Sequence, residues 1–334
     1  MGLVIKTARM ETFCPTVTED RDMRQDKSKL RIVQYNVEWL FVDYCATSDC
    51  PGNGCAWANE TIAINHLNQV ATIIKELKPD IINLCEVEGC DELAMLSKSI
   101  ENPKYYPYMV KGKDTGTGQN VGMLTVVDPL ISLYRTEERV NYPIPGSMCG
   151  YTGQPTDTGV SKHYITEFST NGIKFAMIGA HLIAFPTDKT RCAEREAQAQ
   201  VLQNVIYGYV SKGYEIIFLG DLNDFDAEVI DANNNKPISM VLDILKGYAG
   251  IHSGEYKLFN IATNIGQEER FTDWYDKNAD CISSSNEFSM IDHVLVTPNL
   301  EKKIVNTFIY HDYPEYCGTM NSDHYPVVLD FSFI

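Results

Sequence analysis

Residues 215–223 read Glu-Ile-Ile-Phe-Leu-Gly-Asp-Leu-Asn, a short apolar run that ends on a glycine, then places Asp221 and Asn223 one residue apart. A run of this length, apolar at successive positions, predicts a strand buried on both faces. An ionisable group at the end of such a strand costs free energy unless it is paired or holds a cation. The same device recurs along the chain. Asn36 and Glu38 follow RIVQY, Glu86 and Glu88 end DIINLC, and His181 sits within IGAHLIAF. Asp292-His293 interrupts MIDHVLV, and Asp323-His324 precedes YPVVLDF. Repeated placements of this kind suggest one shared pocket.

The remaining apolar runs, among them VGMLTVV and IKFAMIGAHLIAF, are short and bounded by turn residues, as strands are. Between them lie helical patterns. Leu67, Val70, Ile74 and Leu77 recur at spacings of three and four before Pro79, which predicts an amphipathic helix over 61–77. Leu202, Val205, Ile206 and Tyr209 predict a second over 193–210, and a third is expected over 238–246. Strands alternating with helices imply a layered α/β (α+β) architecture. No fixed-period repeat and no Pro/Ser-rich linker follows residue 30, so one domain over 30–334 is expected, preceded by a polar, loosely attached arm at 1–29.

Composition narrows the class. The chain has 334 residues, 44% hydrophobic and 22% charged, which excludes disorder as its main state. Twenty-eight Lys+Arg against 45 Asp+Glu give a formal charge of −17, which opposes tight passive binding to nucleic acid without forbidding turnover. No run approaches the roughly 18 apolar residues of a membrane span. The start MGLVIKTARMETF lacks the apolar stretch of a secretory signal, and Lys6 stands where a myristoylation signal has Ser or Thr. Ten cysteines, with Cys45, Cys50, Cys55, Cys149, Cys192, Cys281 and Cys317 in loop-like sequence, point to disulfides and an extracellular or secretory setting, with the cytoplasm as the alternative. The spacing of Cys45, Cys50 and Cys55 does not suit zinc, and Cys85 reads as a buried, inert thiol. Asp231-Ala-Asn233-Asn-Asn235 has the alternate oxygens of some calcium loops but reads first as a polar turn. Asn59-Glu60-Thr61 is a glycosylation sequon.

Each polar residue taken singly has an ordinary explanation: Asp221 as a turn residue, His181 as a hydrogen-bonded core histidine, Asp323-His324 as a turn. Their joint order is N-V-E, C-E-V-E, A-H-L, G-D-L-N-D, I-D-H and S-D-H-Y-P-V, and it resembles the endonuclease/exonuclease/phosphatase (deoxyribonuclease-like) superfamily over residues 30–334. Within it, NVEWLF, LCEVEGCDEL, GDLNDF and MIDHVLV look most similar to secreted broad-specificity nucleases. The resemblance implies a four-layer sandwich of two packed mixed sheets flanked by helices. It implies a divalent-metal-dependent phosphodiesterase, foremost an endonuclease on DNA and also RNA, with little sequence specificity. Mg²⁺ or Mn²⁺ is the implied cofactor, with Ca²⁺ as a further option.

The same resemblance implies roles. Glu86, with Asn36 and Asp323, holds the metal. Asp292 orients and charges His324, which with His181 contacts the scissile phosphate. Asp221 positions or deprotonates the attacking water, and Asn223 hydrogen-bonds the phosphorus oxygens. Two departures stand out. Residues 118–122, GQNVG, carry no acid where deoxyribonucleases have a glutamate partner for the histidine at 181. Lys162 replaces a phosphate-gripping arginine and loses its bidentate grip. Arg191 and Arg195 are candidate compensating contacts to substrate, or else solvated charges on the first turn of a helix. Nucleic acid is thus the expected partner as substrate, with no membrane span and no obligate protein partner. A sphingomyelinase- or phosphoinositide-type lipid phosphodiesterase is the alternative, although no aromatic membrane hairpin is seen and Met290-Ile291-Asp292-His293 replaces the phosphoinositide signature. An inactive binding or structural relative is the third reading, and retention of so costly a polar set speaks against it.

Overall fold

A computed structural model describes residues 14–42, 57, 59–278, 280–312 and 322–334. Cys45, Cys50, Cys55 and Cys317, with residues 1–13 of the arm, lie outside them. The apolar runs pair into two mixed sheets. The first has the order β14 (Ile304–Ile309), β15 (Val327–Ser332), β1 (Lys29–Leu40), β2 (Ile81–Val87), β4 (Asn120–Thr125) and β3 (Tyr106–Met109), with β1 and β2 parallel and every other pair antiparallel. The second has the order β10 (Phe259–Asn260), β13 (Asp292–Val296), β9 (Glu215–Asp221), β8 (Ile173–His181) and β7 (Lys162–Thr170), with β8 and β9 its parallel pair. Two ribbons join β5 (Val140–Tyr142) to β6 (Thr156–Thr158) and β11 (Asp273–Trp274) to β12 (Phe288–Ser289).

The sheets meet face to face, β1 against β9 and β13, and β4 against β7 and β8. Helices α1 (Glu60–Leu77) and α2 (Cys90–Ile100) cover the first sheet. Helix α3 (Lys189–Val210), with α4 (Val241–Leu245) packed on it, and the short α5 (Pro298–Glu301) cover the second. This is the expected four-layer α/β sandwich. It explains why so many strands lack polar alternation: one face of each meets the opposite sheet, the other a helix.

Helix α1 buries the expected Leu67, Val70, Ile74 and Leu77, and the side chain of the sequon residue Asn59 caps it by accepting from Ile62 N. Helix α3 starts four residues before the expected position because Asp188 caps it, accepting from Arg191 N at 2.8 Å. Its first half is polar yet buried, with Arg195, Glu196 and Gln198 hydrogen-bonded to the loops that cover it; further along, Gln200 donates to Gln203, which in turn donates to the Ile244 and Ala249 carbonyls. Cys192, expected in a loop, lies on this helix and is disulfide-bonded to Cys149. Residues 14–29 are fastened rather than loose. Cys14 is disulfide-bonded to Cys90, Asp22 bridges to Val127, and the buried Arg24 donates to Asp22, Thr170 and the Lys29 carbonyl. No described helix is long and apolar enough to cross a membrane.

Candidate active site

Register fixes the centre of the site. On β9, Asp221 lies opposite His181 of β8 on one side and Asp292 of β13 on the other. The close approach of β8 needs glycine at 220: φ there is +157°, and a Cβ would stand 1.8 Å from the Ala180 carbonyl oxygen. Beyond β9 the chain turns at once. Asp221 Oδ1 accepts from Asn223 N at 2.9 Å, Asn223 takes φ +49°, and its Nδ2 donates to the Leu182 carbonyl at 3.2 Å.

The other sheet supplies Asn36 and Glu86. Alternation along β1 turns Gln34 and Asn36 toward the second sheet, where Asn36 Nδ2 donates to Asp221 Oδ2 at 3.0 Å. On β2 the interior position is Cys85, whose thiol donates to the Ala180 carbonyl, so a regular pleat would send Glu86 away from the site. Instead Glu86 adopts φ +66° where the register with β4 slips between Cys85 and Val87. That bulge brings Glu86 Oε1 to 3.3 Å from Asn36 Nδ2, while Oε2 accepts from Trp39 N at 3.1 Å. The loop into β15 is pinned by Ser322, whose hydroxyl donates to the Asn36 carbonyl and accepts from His324 N.

His324 and Asp292 form the most strongly paired couple. Their Nδ1 to Oδ2 distance is 2.7 Å, and Asp292 Oδ1 accepts from Gln34 Nε2, whose own oxygen accepts from Asn83. Burial acts to lower the pKa of His324, but Asp292, Asp323 and Asp221 outweigh it and hold the imidazole well above its ordinary value. Around it the acids are crowded. Burial, with Asp292 and Glu86 nearby, pushes Asp221 up to about 8 against the pull of His324. Burial, with Asp273 and Glu86 nearby, pushes Asp323 up to about 7, again against His324. The buried Oδ1 of Asp323 has no hydrogen-bond partner. Carboxyls held above their ordinary range by one another, with an orphaned oxygen among them, are a donor set that fits a hard divalent cation. Glu86, His181 and Asp221 offer one such group of ligand atoms within 4.8 Å of one another, and Asp273, Asp323 and His324 another.

His181 is different. Its Nε2 lies 3.5 Å from both Lys162 Nζ and Asp221 Oδ2, and its buried Nδ1 has no partner. Burial first, then Lys162 and His324, hold its pKa well below the ordinary value, so it is neutral near pH 7. The acid missing from residues 118–122 is not replaced at His181. Gln119 Oε1 accepts from Lys162 Nζ at 3.3 Å, and Asp114 pairs with Lys162 at 3.7 Å, while the carboxylates that face His181 Nε2 are Asp221 at 3.5 Å and Glu86 at 4.0 Å.

The structure thus brings Asn36, Glu86, Lys162, His181, Asp221, Asn223, Asp292, Asp323 and His324 together. It does not bring Arg195. That guanidinium is 0% exposed and is consumed by Asp224 at 2.8 Å and by the carbonyls of Ile183, Phe185 and Pro186. It can neither meet substrate nor be a solvated charge. Arg191 is partly exposed and lies over the ring of Phe185. Asp273 was missed: on the two-residue strand β11 it bridges to His324 and stands 3.7 Å from its Nε2. Gln34 and Asn83, the buried amides behind Asp292, were missed too. Asp231 is a turn residue, accepting from Asn233 N and Asn235 N as an Asx turn does. Cys85 is the free cysteine among the described residues, and burial raises its thiol pKa far out of range, consistent with an inert group.

No protein-family model and no curated protein matches the chain. Solved structures do. The 3′ phosphatase NExo from Neisseria, bound to product DNA hairpin, is similar at 15% identity over 91% of this chain and 99% of its own, TM-score 0.56. An endonuclease/exonuclease/phosphatase family protein from Leptotrichia buccalis matches at 13% identity over 91% and 100%, TM-score 0.56. An AP endonuclease from Archaeoglobus fulgidus matches at 16% identity over 90% and 99%, TM-score 0.53. Two face-to-face mixed sheets flanked by helices, with acids and histidines gathered at the strand ends, have the same fold as these proteins: the chain has the endonuclease/exonuclease/phosphatase fold.

Proposed function

We propose that this chain is a divalent-metal-dependent phosphodiester hydrolase acting on nucleic acid, foremost on DNA and also on RNA, with little sequence demand. The observation that carries the reading is the meeting of Glu86, Asp221 and the Asp292–His324 couple from two different sheets in one place. A stable fold has no use for so many buried, mutually repelling acids. The DNA-directed neighbours, a 3′ phosphatase and an AP endonuclease, support the substrate class.

Glu86, with Asn36 and Asp323, would hold Mg²⁺ or Mn²⁺, which when bound neutralises a phosphate oxygen as a Lewis acid. Asp221, fixed at the end of β9 by hydrogen bonds from Asn36 Nδ2 and Asn223 N, is placed to orient the attacking water and, once ionised beside a bound cation, to accept its proton. His324, kept protonated by Asp292, presents a positive N–H to the phosphate and the departing oxygen. His181 is neutral and serves as a hydrogen-bonding group, with Lys162 as the adjacent fixed cation. Asn223, set by its left-handed turn, places an amide beside the oxygens on which charge grows. The net charge of −17 keeps ground-state binding weak, which favours release of product. The disulfides Cys14–Cys90 and Cys149–Cys192 and the disulfide-bonded Cys281 suit an oxidising, extracellular setting.

Supercoiled plasmid incubated with the protein should be nicked and linearised in Mg²⁺ and left intact in excess EDTA. Plasmid and single-stranded oligonucleotide both left intact in Mg²⁺ overturn the nuclease reading. Hydrolysis of sphingomyelin vesicles in place of plasmid selects the lipid alternative.

A further inference from the structure

The loop after β8 presents one large side chain to solvent while its backbone is locked. Phe185 is 62% exposed. Its carbonyl accepts from Arg195 and from Asp188 N, and Arg195 also holds the carbonyls on either side through Ile183 and Pro186. Arg195 is itself anchored to Asp224, three residues beyond Asp221. Phe185 takes φ +69°, a left-handed conformation that bulky residues rarely adopt, and the clamp keeps it there with the ring facing water. Strain maintained at an exposed position beside a site points to use of that side chain.

Two neighbours define the use. The guanidinium of Arg191 lies over the Phe185 ring, 5.4 Å from its centroid, so a cation stands on one face of the ring and the opposite face is the one left for a ligand. Leu182, three residues earlier, has its carbonyl on Asn223 Nδ2, and three residues reach at most about 11 Å. The Phe185 backbone therefore lies within about three nucleotides of Asn223, since successive nucleotides on a strand are about 3.4 Å apart when stacked. An exposed aromatic face takes either a flat base or a quaternary ammonium group. The Arg191 cation repels the second and attracts the phosphodiester attached to the first.

We propose that Phe185 and Arg191 form a stacking platform for a nucleobase flanking the scissile phosphate, and that the substrate is a single strand or an unpaired end, whose base is free to leave its neighbours. This rests on the phosphodiesterase reading above. In a duplex both faces of a base are occupied, and unstacking must be supplied at a cost.

The test is steady-state hydrolysis of a short single-stranded oligodeoxynucleotide in Mg²⁺ by the full chain and its variants. Phe185→Ala should raise KM about tenfold or more while kcat falls less than about threefold. Phe185→Trp should keep the parent KM, and Arg191→Ala should give a smaller rise. On a strand whose flanking nucleotides are abasic, parent and Phe185→Ala should be equal. Because the ring is exposed, loss of fold is not expected, and circular dichroism checks it. A parent that hydrolyses the strand with KM unchanged in Phe185→Ala overturns the platform and leaves the phosphodiesterase reading standing. A parent that hydrolyses no nucleic acid, plasmid included, removes that reading and the platform with it.

Discussion

His324 and His181 both stand against Asp221, yet they are built in opposite ways. His324 has a carboxylate on Nδ1, and that carboxylate is itself backed by Gln34 and Asn83. His181 has no partner on Nδ1 and a lysine 3.5 Å from Nε2. Burial opposes charge on both; only the company differs, and it decides which ring is cationic at neutral pH. A third histidine shows burial as the leading cause. His163 is 1% exposed, contacts its Nδ1 to the Val160 carbonyl and accepts at Nε2 from Thr136 N, and desolvation first, then Arg135, lowers its pKa to about 4.

The comparison can be broken in four places. The largest effect is expected at His324: replacing it with Ala should reduce kcat by about 10³–10⁴, whereas His181→Ala should cost at least tenfold less. Equal losses in a plasmid-nicking time course would mean that the two rings share one role. Next comes the scaffold on the His181 side. Arg195→Met leaves Asp224 buried without its cation and should destabilise the fold by about 3–5 kcal/mol in urea unfolding. A shift under about 1 kcal/mol would show that the loops after β8 and β9 hold themselves.

His163 then predicts a pH dependence of stability that owes nothing to the site. Its native pKa lies below its unfolded value of about 6.5, so the unfolded chain binds the proton more readily. The stabilisation is complete above about pH 6.5 and is lost as pH falls toward about 4, on the order of 3 kcal/mol in all. His163→Gln should flatten that part of the denaturation profile; an unchanged slope would assign the loss to other groups. The smallest effect is expected for Asp292→Asn, about 10–10²-fold in kcat. Because Asp292 raises the pKa of His324, its loss should move the alkaline limb of the rate profile to lower pH. A limb that stays in place would detach His324 from that limb.

Much of this centre can be read before any coordinates, because a polar residue at the end of an apolar strand is conspicuous, and eight strand-end residues from Asn36 to His324 meet as expected. What escapes is set by distance in space rather than along the chain. Asp273 sits on a two-residue strand within FTDWYD, and only its bridge to His324 gives it meaning. Gln34 and Asn83 look like the solvent side of alternating strands, and only a second sheet makes their side buried. Arg195 failed for a related reason. The periodicity of Leu202, Val205, Ile206 and Tyr209 describes one face, while the first half of α3 is covered on several sides by loops. The edge strand β14 and the long β7 also escaped, the first for want of apolar density, the second because SKHYITEF mixes polar and apolar residues on a strand that pairs with β8 alone in its sheet.

The pairing of Asp221 with His181 on one side and Asp292 on the other has a consequence for how this chain can change over time. Three reactive groups occupy a single rung, so one residue inserted or deleted within β9 would turn the aspartate to the opposite face and unseat all three together. Loops beyond the strand ends carry no such penalty. Descendants of this sequence are therefore free to alter what they grip through insertions at the rim, while the rung itself admits only replacement of one side chain by another.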